Sequence, residues 1–332
     1  MSWTDHFPVL GDNLIAAWQN LAKNGEVAEI EACFAIREWI NLRPARHLVS
    51  ASLFWKPAYV GEQEFPPLTR ELLRNPRSYG IATRENDPWG HYVAPLLDGA
   101  AKLWASRPDI TFRVYLAADL DFLIGDLTAV GCEIVLMESC SLRHNPGAMW
   151  RFLALEGDTV VTVTDADRAR DVIHDVTRTE AAVAAGLGSW RSPYTWGPAA
   201  THSNIAAWYR PINACQFGTN ACLPMRVLAE AFVWSVKNGM FPTAAPVAFG
   251  AAEEFFGSGW PGYGFDEWFL LCAVYPRLAA GGMLTVIRPG DHTLHHLFAL
   301  DIEYCTWANP ASEIVYLPWK NAAEDAISRT PP

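Results

Sequence analysis

Between residues 46 and 164 the chain alternates short apolar runs with segments of helical spacing, and no other feature limits its fold so tightly. The runs at 47–55 (HLVSASLFW), 111–117 (TFRVYLA), 133–137 (EIVLM) and 159–164 (TVVTVT) are rich in β-branched and aromatic residues and read as strands. Segments 92–106, 119–130 and 146–155 carry apolar residues at helical spacing and read as helices, the second stopped by Gly131. Apolar strands separated by helices predict an α/β fold with a mostly parallel, doubly wound central sheet flanked by helices. Sheets of that kind bind ligands at the carboxyl ends of their strands.

Outside that stretch the rhythm is weaker. Residues 13–24 and 26–41 show helical spacing on either side of Gly25, and Arg43-Pro44 closes them off. They predict an N-terminal helical extension over 1–45, followed by one domain spanning 46–332. Residues 57–88, dense in Pro, Arg and Glu, are expected to form a long loop. After Arg168, helices are expected at 171–187, 223–238 and 266–278, strands at 211–218 and 284–287, and a Ser-, Pro-, Trp- and Gly-rich loop at 188–202.

Hydrophobic residues make up 51% and charged residues 18% of the 332 positions, enough for a large core. The formal net charge of −11 argues against a general basic surface, and so against nucleic acid as a main partner. The seven cysteines form no C-x-x-C pair and sit mostly in apolar runs, as expected of reduced core residues in a cytoplasmic protein. Residues 1–11 lack the basic and apolar regions of a secretory signal. No apolar stretch approaches the ~20 residues that span a bilayer. The 15 tryptophans are compatible with a saccharide groove, since indole stacks on the apolar faces of sugars, and equally with a Trp-rich core.

The strand at 159–164 runs directly into Asp165-Ala166-Asp167. Two carboxylates at the carboxyl edge of a sheet suit Mg²⁺ or Mn²⁺, which takes one or two carboxylates and completes its shell with substrate phosphates and water. A solvated turn explains the same pair, and a D-x-D taken alone is a weak signal. A second copy at Asp119 and Asp121 reads as an N-cap and a first-turn acid of the following helix.

The segment AMWRFLAL at 148–155, a short spacer, the strand and its D-x-D together resemble the GT-A glycosyltransferases, most of all the family-eight kind. The resemblance implies a GT-A-like, Rossmann-type sheet, a divalent cation (Mn²⁺ or Mg²⁺) and a nucleotide-diphosphate sugar, UDP- or GDP-linked, as donor. It implies that Asp165 and Asp167 hold the metal and that Arg151 contacts the nucleotide or phosphates. Arg143 and His144, in the loop before that helix, are further donor-side candidates. Asn213, in the segment INACQFG, matches the family's Asn-bearing strand beside the donor sugar. Asp266 and Glu267, in GFDEWFL, match the acidic segment beneath the sugar. There an inverting enzyme needs a carboxylate base and a retaining one a polar group; a capping pair at a helix start accounts for them as well. His292 and His295 are the alternatives for a third metal ligand. Two departures stand out. Asp266-Glu267 replaces the usual Asp-Gln, which leaves the stereochemical outcome open, and the usual His-Tyr-x-Gly ending is absent, which leaves the third ligand open.

The expected activity is transfer of a sugar to a hydroxyl acceptor in glycan or polysaccharide synthesis. Rival readings are glycosylation of a modified DNA base or a protein, sugar nucleotidyl transfer, and non-catalytic nucleotide-sugar binding. A basic patch from Arg70, Arg74, Arg77 and Arg84 would favour DNA. The nucleotidyltransferases' Gly-rich loop after the first strand is missing, since Trp55-Lys56-Pro57 stands there.

Overall fold

The computed structural model describes residues 9–25, 27–55, 66–81, 85–138, 146–184, 186, 189–191, 214, 217–239 and 265–280. They fall into two compact bodies. One holds Leu21–Ala154 and Val163–Ile173, the other the described residues within Met1–Asn20, Leu155–Thr162 and His174–Pro332. The expected boundary near residue 45 falls inside the first of these.

The first body is built on a mixed sheet. Helix α2 (Ala28–Ala32) leads into strand β1 (Ile36–Ile40), and β2 (His47–Leu53), β3 (Thr111–Ala117) and β4 (Glu133–Met137) follow. The strand order in this body is β1-β4-β3-β2, and the last residue of β5 (Val160–Val163) also belongs to it. β2, β3 and β4 are mutually parallel, with Leu48 opposite Thr111 and Arg113 opposite Glu133. Every residue of β2 and β4 is buried, as expected of parallel strands covered on both faces.

β1 departs from the expected mostly parallel order, because it runs antiparallel to β4, with a register slip between Ile36 and Glu38. It also replaces the second half of the helix expected at 26–41. That helix stops after one turn, and Ile36, Trp39 and Ile40 then favour an extended edge. Asn41 turns the chain at φ 57°, a conformation Asn tolerates, and its Nδ2 donates to the Cys132 carbonyl at 2.8 Å.

The long loop expected at 57–88 contains a short helix, α3 (Arg70–Arg74), N-capped by Thr69, and a 3₁₀ turn at Pro76–Tyr79. α4 (Ala94–Ser106) is entered through a π-helical turn at Trp89–Val93, with Pro95 in its first turn where a missing N–H costs little. α5 (Ile124–Ala129) follows a 3₁₀ segment at Ala118–Leu123. Asp119 and Asp121 lie in that segment's first turn, but Ala117 occupies the cap position, so the expected N-cap role of Asp119 is not seen.

In the second body, helix α1 (Asp12–Lys23) buries Trp18, whose ring lies 6.3 Å from that of Trp234. Trp234 belongs to α7 (Met225–Lys237), a helix buried at Met225 and from Leu228 to Val236. Phe232 of α7 packs against Phe265 and Phe269 of α8 (Phe265–Phe269), at 5.1 and 5.5 Å between ring centres. A second π turn at Leu270–Val274 continues into α9 (Tyr275–Ala280), and Leu10 N–H donates to the Cys272 carbonyl at 2.9 Å. α6 (Val172–Ala184) holds the buried Asp175–Arg178 ion pair at 2.7 Å. β6 (Ser189–Arg191) and β7 (Phe217–Thr219) pair antiparallel, with β7 at the end of the strand expected at 211–218.

Among the described residues no helix is long and apolar enough to cross a membrane.

Candidate functional site

Two serines organise the end of β5. Ser50 and Ser52 sit two residues apart in β2, so they point to one face of an otherwise apolar strand. A buried hydroxyl needs a partner, and both find one at Arg151. The Ser50 hydroxyl donates to the Arg151 carbonyl at 2.6 Å, and the Arg151 N–H donates to Ser52 Oγ at 2.9 Å. The Ser50 carbonyl accepts from the Thr164 N–H at 3.0 Å. One residue of β2 therefore anchors the backbone of Arg151 and the residue before Asp165.

The segment carrying Arg151 is a run of 3₁₀ turns, Gly147–Glu156, where an α-helix was expected at 146–155. Met149, Phe152 and Leu155 recur every three residues and are all buried, which suits three residues per turn. The Trp150 indole N–H donates to the Cys33 carbonyl at 2.8 Å. Gly147 lies against Phe54, where a Cβ would come within 2.7 Å of the ring. These contacts hold the part of the segment that precedes Arg151.

The Arg151 side chain is itself buried, 5% exposed, yet it reaches Asp165 with Nη1 to Oδ1 at 2.8 Å. Asp165 stands where β5 gives way to a 3₁₀ segment at Ala166–Asp171. Its carbonyl accepts from the Arg168 N–H at 3.2 Å, but its side chain makes no capping hydrogen bond. The carboxylate thus pairs with the guanidinium without capping the turn. Asp167, two residues on, has His91 Nε2 3.7 Å from its Oδ2. Both aspartate side chains are 36% exposed, so each opens to solvent while Arg151 does not.

The 3₁₀ segment that bears Asp167 is seated on α4. Gly99 of α4 touches the Ala169 backbone so closely that a Cβ there would lie 2.0 Å from the Ala169 oxygen. Asp98 reaches Lys102 at 2.8 Å and Arg170 at 3.2 Å. The hydrogen bond from Lys102 is the main influence holding the Asp98 carboxyl below its usual range, with Arg170 adding to it.

The remaining candidates are distributed as follows. Asp266 is half-buried near the start of α8, in the second body, and Glu267 follows it in the same helix. Arg143, His144, Asn213, His292 and His295 lie outside the described residues, as do Arg84 and the strand expected at 284–287. Arg70 is paired with Asp126 at 2.5 Å, and the Arg70 and Arg74 guanidiniums lie 4.7 and 5.2 Å from the Trp89 ring centre. Sequence reasoning missed His91, which no motif marks, and the two serines, whose signal was a pair of hydroxyls at i and i+2 in a buried strand.

Among the described residues no group of three or more His, Cys, Asp and Glu side chains is placed to hold a metal ion. No family model matches the chain, and neither the curated proteins nor the solved structures give a match.

Proposed function

We propose that the chain is a metal-dependent glycosyltransferase of the GT-A type, moving a sugar from a nucleotide-diphosphate sugar to a hydroxyl acceptor. The observation that carries this reading is the buried Arg151 guanidinium set against Asp165 at the carboxyl end of β5, with Asp167 two residues away. A cation and two part-exposed carboxylates at a strand end are the charges that a metal–diphosphate complex requires.

The donor set fits a hard divalent cation. Two carboxylates are what Mg²⁺ or Mn²⁺ takes from protein when substrate phosphates and water fill the remaining positions. Structural zinc, with four nitrogen or sulfur ligands, does not fit such a set. When bound, the cation supplies Lewis-acid stabilisation of the departing nucleoside diphosphate.

The chain's own residues then have distinct tasks. Asp165 and Asp167 hold the cation. Arg151, anchored through its backbone, offers its guanidinium to phosphate oxygens, a planar donor that matches them in geometry as well as charge. Ser50 and Ser52 fix where that guanidinium starts from. Asp266 and Glu267 are assigned to the acceptor side, as general base or as a polar group near the anomeric carbon. Asn213 is assigned to the donor sugar.

Thermal shift tests the reading. UDP-, GDP-, CMP- and dTDP-sugars are each added with and without MnCl₂. A ligand at one hundred times its Kd stabilises the native state by about 2.7 kcal/mol. One nucleotide sugar should raise Tm only when Mn²⁺ is present, and Asp165→Asn or Asp167→Asn should remove the effect. If no nucleotide sugar shifts Tm in a metal-dependent way, the proposal fails.

A further inference from the structure

We infer that Arg151 couples cation and diphosphate binding: its guanidinium occupies Asp165 until a diphosphate draws it away, so neither ligand binds well without the other. The inference rests on the glycosyltransferase reading above and concerns the same site.

Three observations lead there. The Arg151 side chain is 5% exposed, and its Nη1 lies 2.8 Å from Asp165 Oδ1, so a buried positive charge is already spent on a carboxylate assigned to the metal. Its backbone is tied to Ser50 and Ser52 on both its carbonyl and its N–H, so turning the guanidinium breaks neither of these hydrogen bonds whereas moving the segment breaks both. Asp165 is 36% exposed, so its carboxylate is open to a cation from solvent.

The energetics follow from charge. A divalent cation on Asp165 weakens the carboxylate's hold on the guanidinium and stands beside a second positive charge. A buried charge deprived of its partner is costly. A diphosphate alone meets the guanidinium but also the negative charges of Asp165 and Asp167. When both ligands are present, the guanidinium exchanges a carboxylate for phosphate oxygens, to which it can donate two parallel hydrogen bonds, and Asp165 passes to the metal. Each ligand thereby removes the obstacle to the other. Coupling of this kind is reciprocal, and typical values correspond to about 5- to 150-fold in affinity.

The experiment uses the full chain and two probes, MnCl₂ and UDP. Bound Mn²⁺ is measured by electron paramagnetic resonance without UDP and at saturating UDP, at matched free Mn²⁺ so that the Mn²⁺–UDP complex in solution does not contribute. In the wild type, UDP should raise Mn²⁺ affinity at least about tenfold, within the range above. Arg151→Gln should bind Mn²⁺ alone about fivefold or more tighter than the wild type and lose most of the coupling, while Arg151→Lys should keep part of it. The inference is overturned if Arg151→Gln binds Mn²⁺ alone no more tightly than the wild type. It is also overturned if wild-type Mn²⁺ affinity is the same with and without UDP, a result that needs no variant to fold. The first result leaves the glycosyltransferase reading standing; the second overturns both, because coupling is reciprocal and the reading requires a nucleotide that binds better with Mn²⁺ than without it. If the wild type binds neither probe, the reading and the inference fall together.

Discussion

Replacing Ser52 by Ala tests how the site is built. Ser52 is 5% exposed, Arg151 is 4% exposed, and the Arg151 N–H donates to Ser52 Oγ at 2.9 Å. The substitution removes one oxygen, so it opens almost no cavity. What it leaves is a buried N–H without that acceptor, a loss worth about 1–3 kcal/mol. At a central value of about 2 kcal/mol, and roughly 2–4 °C of Tm per kcal/mol for a body of this size, Tm should fall by about 4–8 °C. Urea unfolding followed by far-UV circular dichroism measures the loss, and hydrogen exchange locates it, since the Arg151 amide should exchange faster than in the wild type. Thr128→Ala is the control, because its hydroxyl bonds the Ile124 carbonyl on an exposed helix surface and its loss should cost under about 0.5 kcal/mol. A Ser52→Ala loss within that same ~0.5 kcal/mol, with exchange at Arg151 unchanged, would refute the view that β2 anchors the Arg151 backbone.

Other expectations follow from single contacts. Gly99→Ala should destabilise by about 1–3 kcal/mol in urea titration, although Ala is the better helix former by about 1 kcal/mol, because its Cβ would meet the Ala169 backbone at 2.0 Å. A stabilised variant would mean that α4 does not seat the Asp167 segment. Iodoacetamide at pH 8 should label exposed Cys222 in the native state and spare Cys132 and Cys272, whose thiols burial pushes up, Cys132 to about 12; peptide mass mapping reads this out. The same shift sets a pH dependence. The folded protein keeps the Cys132 proton above the ordinary value of 9.0, so that contribution is complete below pH 9.0 and is lost as pH rises towards about 12. The urea midpoint should therefore fall on the alkaline side of pH 9.0, and Cys132→Ser should flatten part of that fall.

Much of the sheet was legible because burial writes itself into composition. β3 and β4 have the bounds their apolar runs suggested, and β5 ends one residue before its run does. The edge was not legible. β1 is five residues long with its middle three exposed, so it carries neither the apolar run of a buried strand nor a long alternation. The 3₁₀ segments Ala118–Leu123 and Gly147–Glu156 fall where α-helix is expected because spacings of 3.0 and 3.6 residues cannot be told apart over two or three turns, as Met149, Phe152 and Leu155 illustrate. At the site, the D-x-D was visible because it closes a β-branched strand. Arg151 was visible as a cation among apolar neighbours, but its partner was not, since nothing local says that residue 151 meets residue 165. His91 lies far from Asp167 in sequence with no periodic pattern between them, and only the fold brings the two within 3.7 Å.

The central claim is that the two carboxylates at the end of β5 hold a divalent cation against a diphosphate. Crystals of the full chain soaked in MnCl₂ and UDP, with anomalous data collected near the manganese edge, test it most directly. The account predicts one strong anomalous peak within about 2.0–2.3 Å of a carboxylate oxygen of Asp165 or Asp167, typical of hard cations, with UDP phosphate oxygens in its shell and the Arg151 guanidinium turned from Asp165 towards the phosphates. Manganese bound elsewhere, or UDP seated away from Asp165 with the Arg151–Asp165 pair still closed, would contradict it.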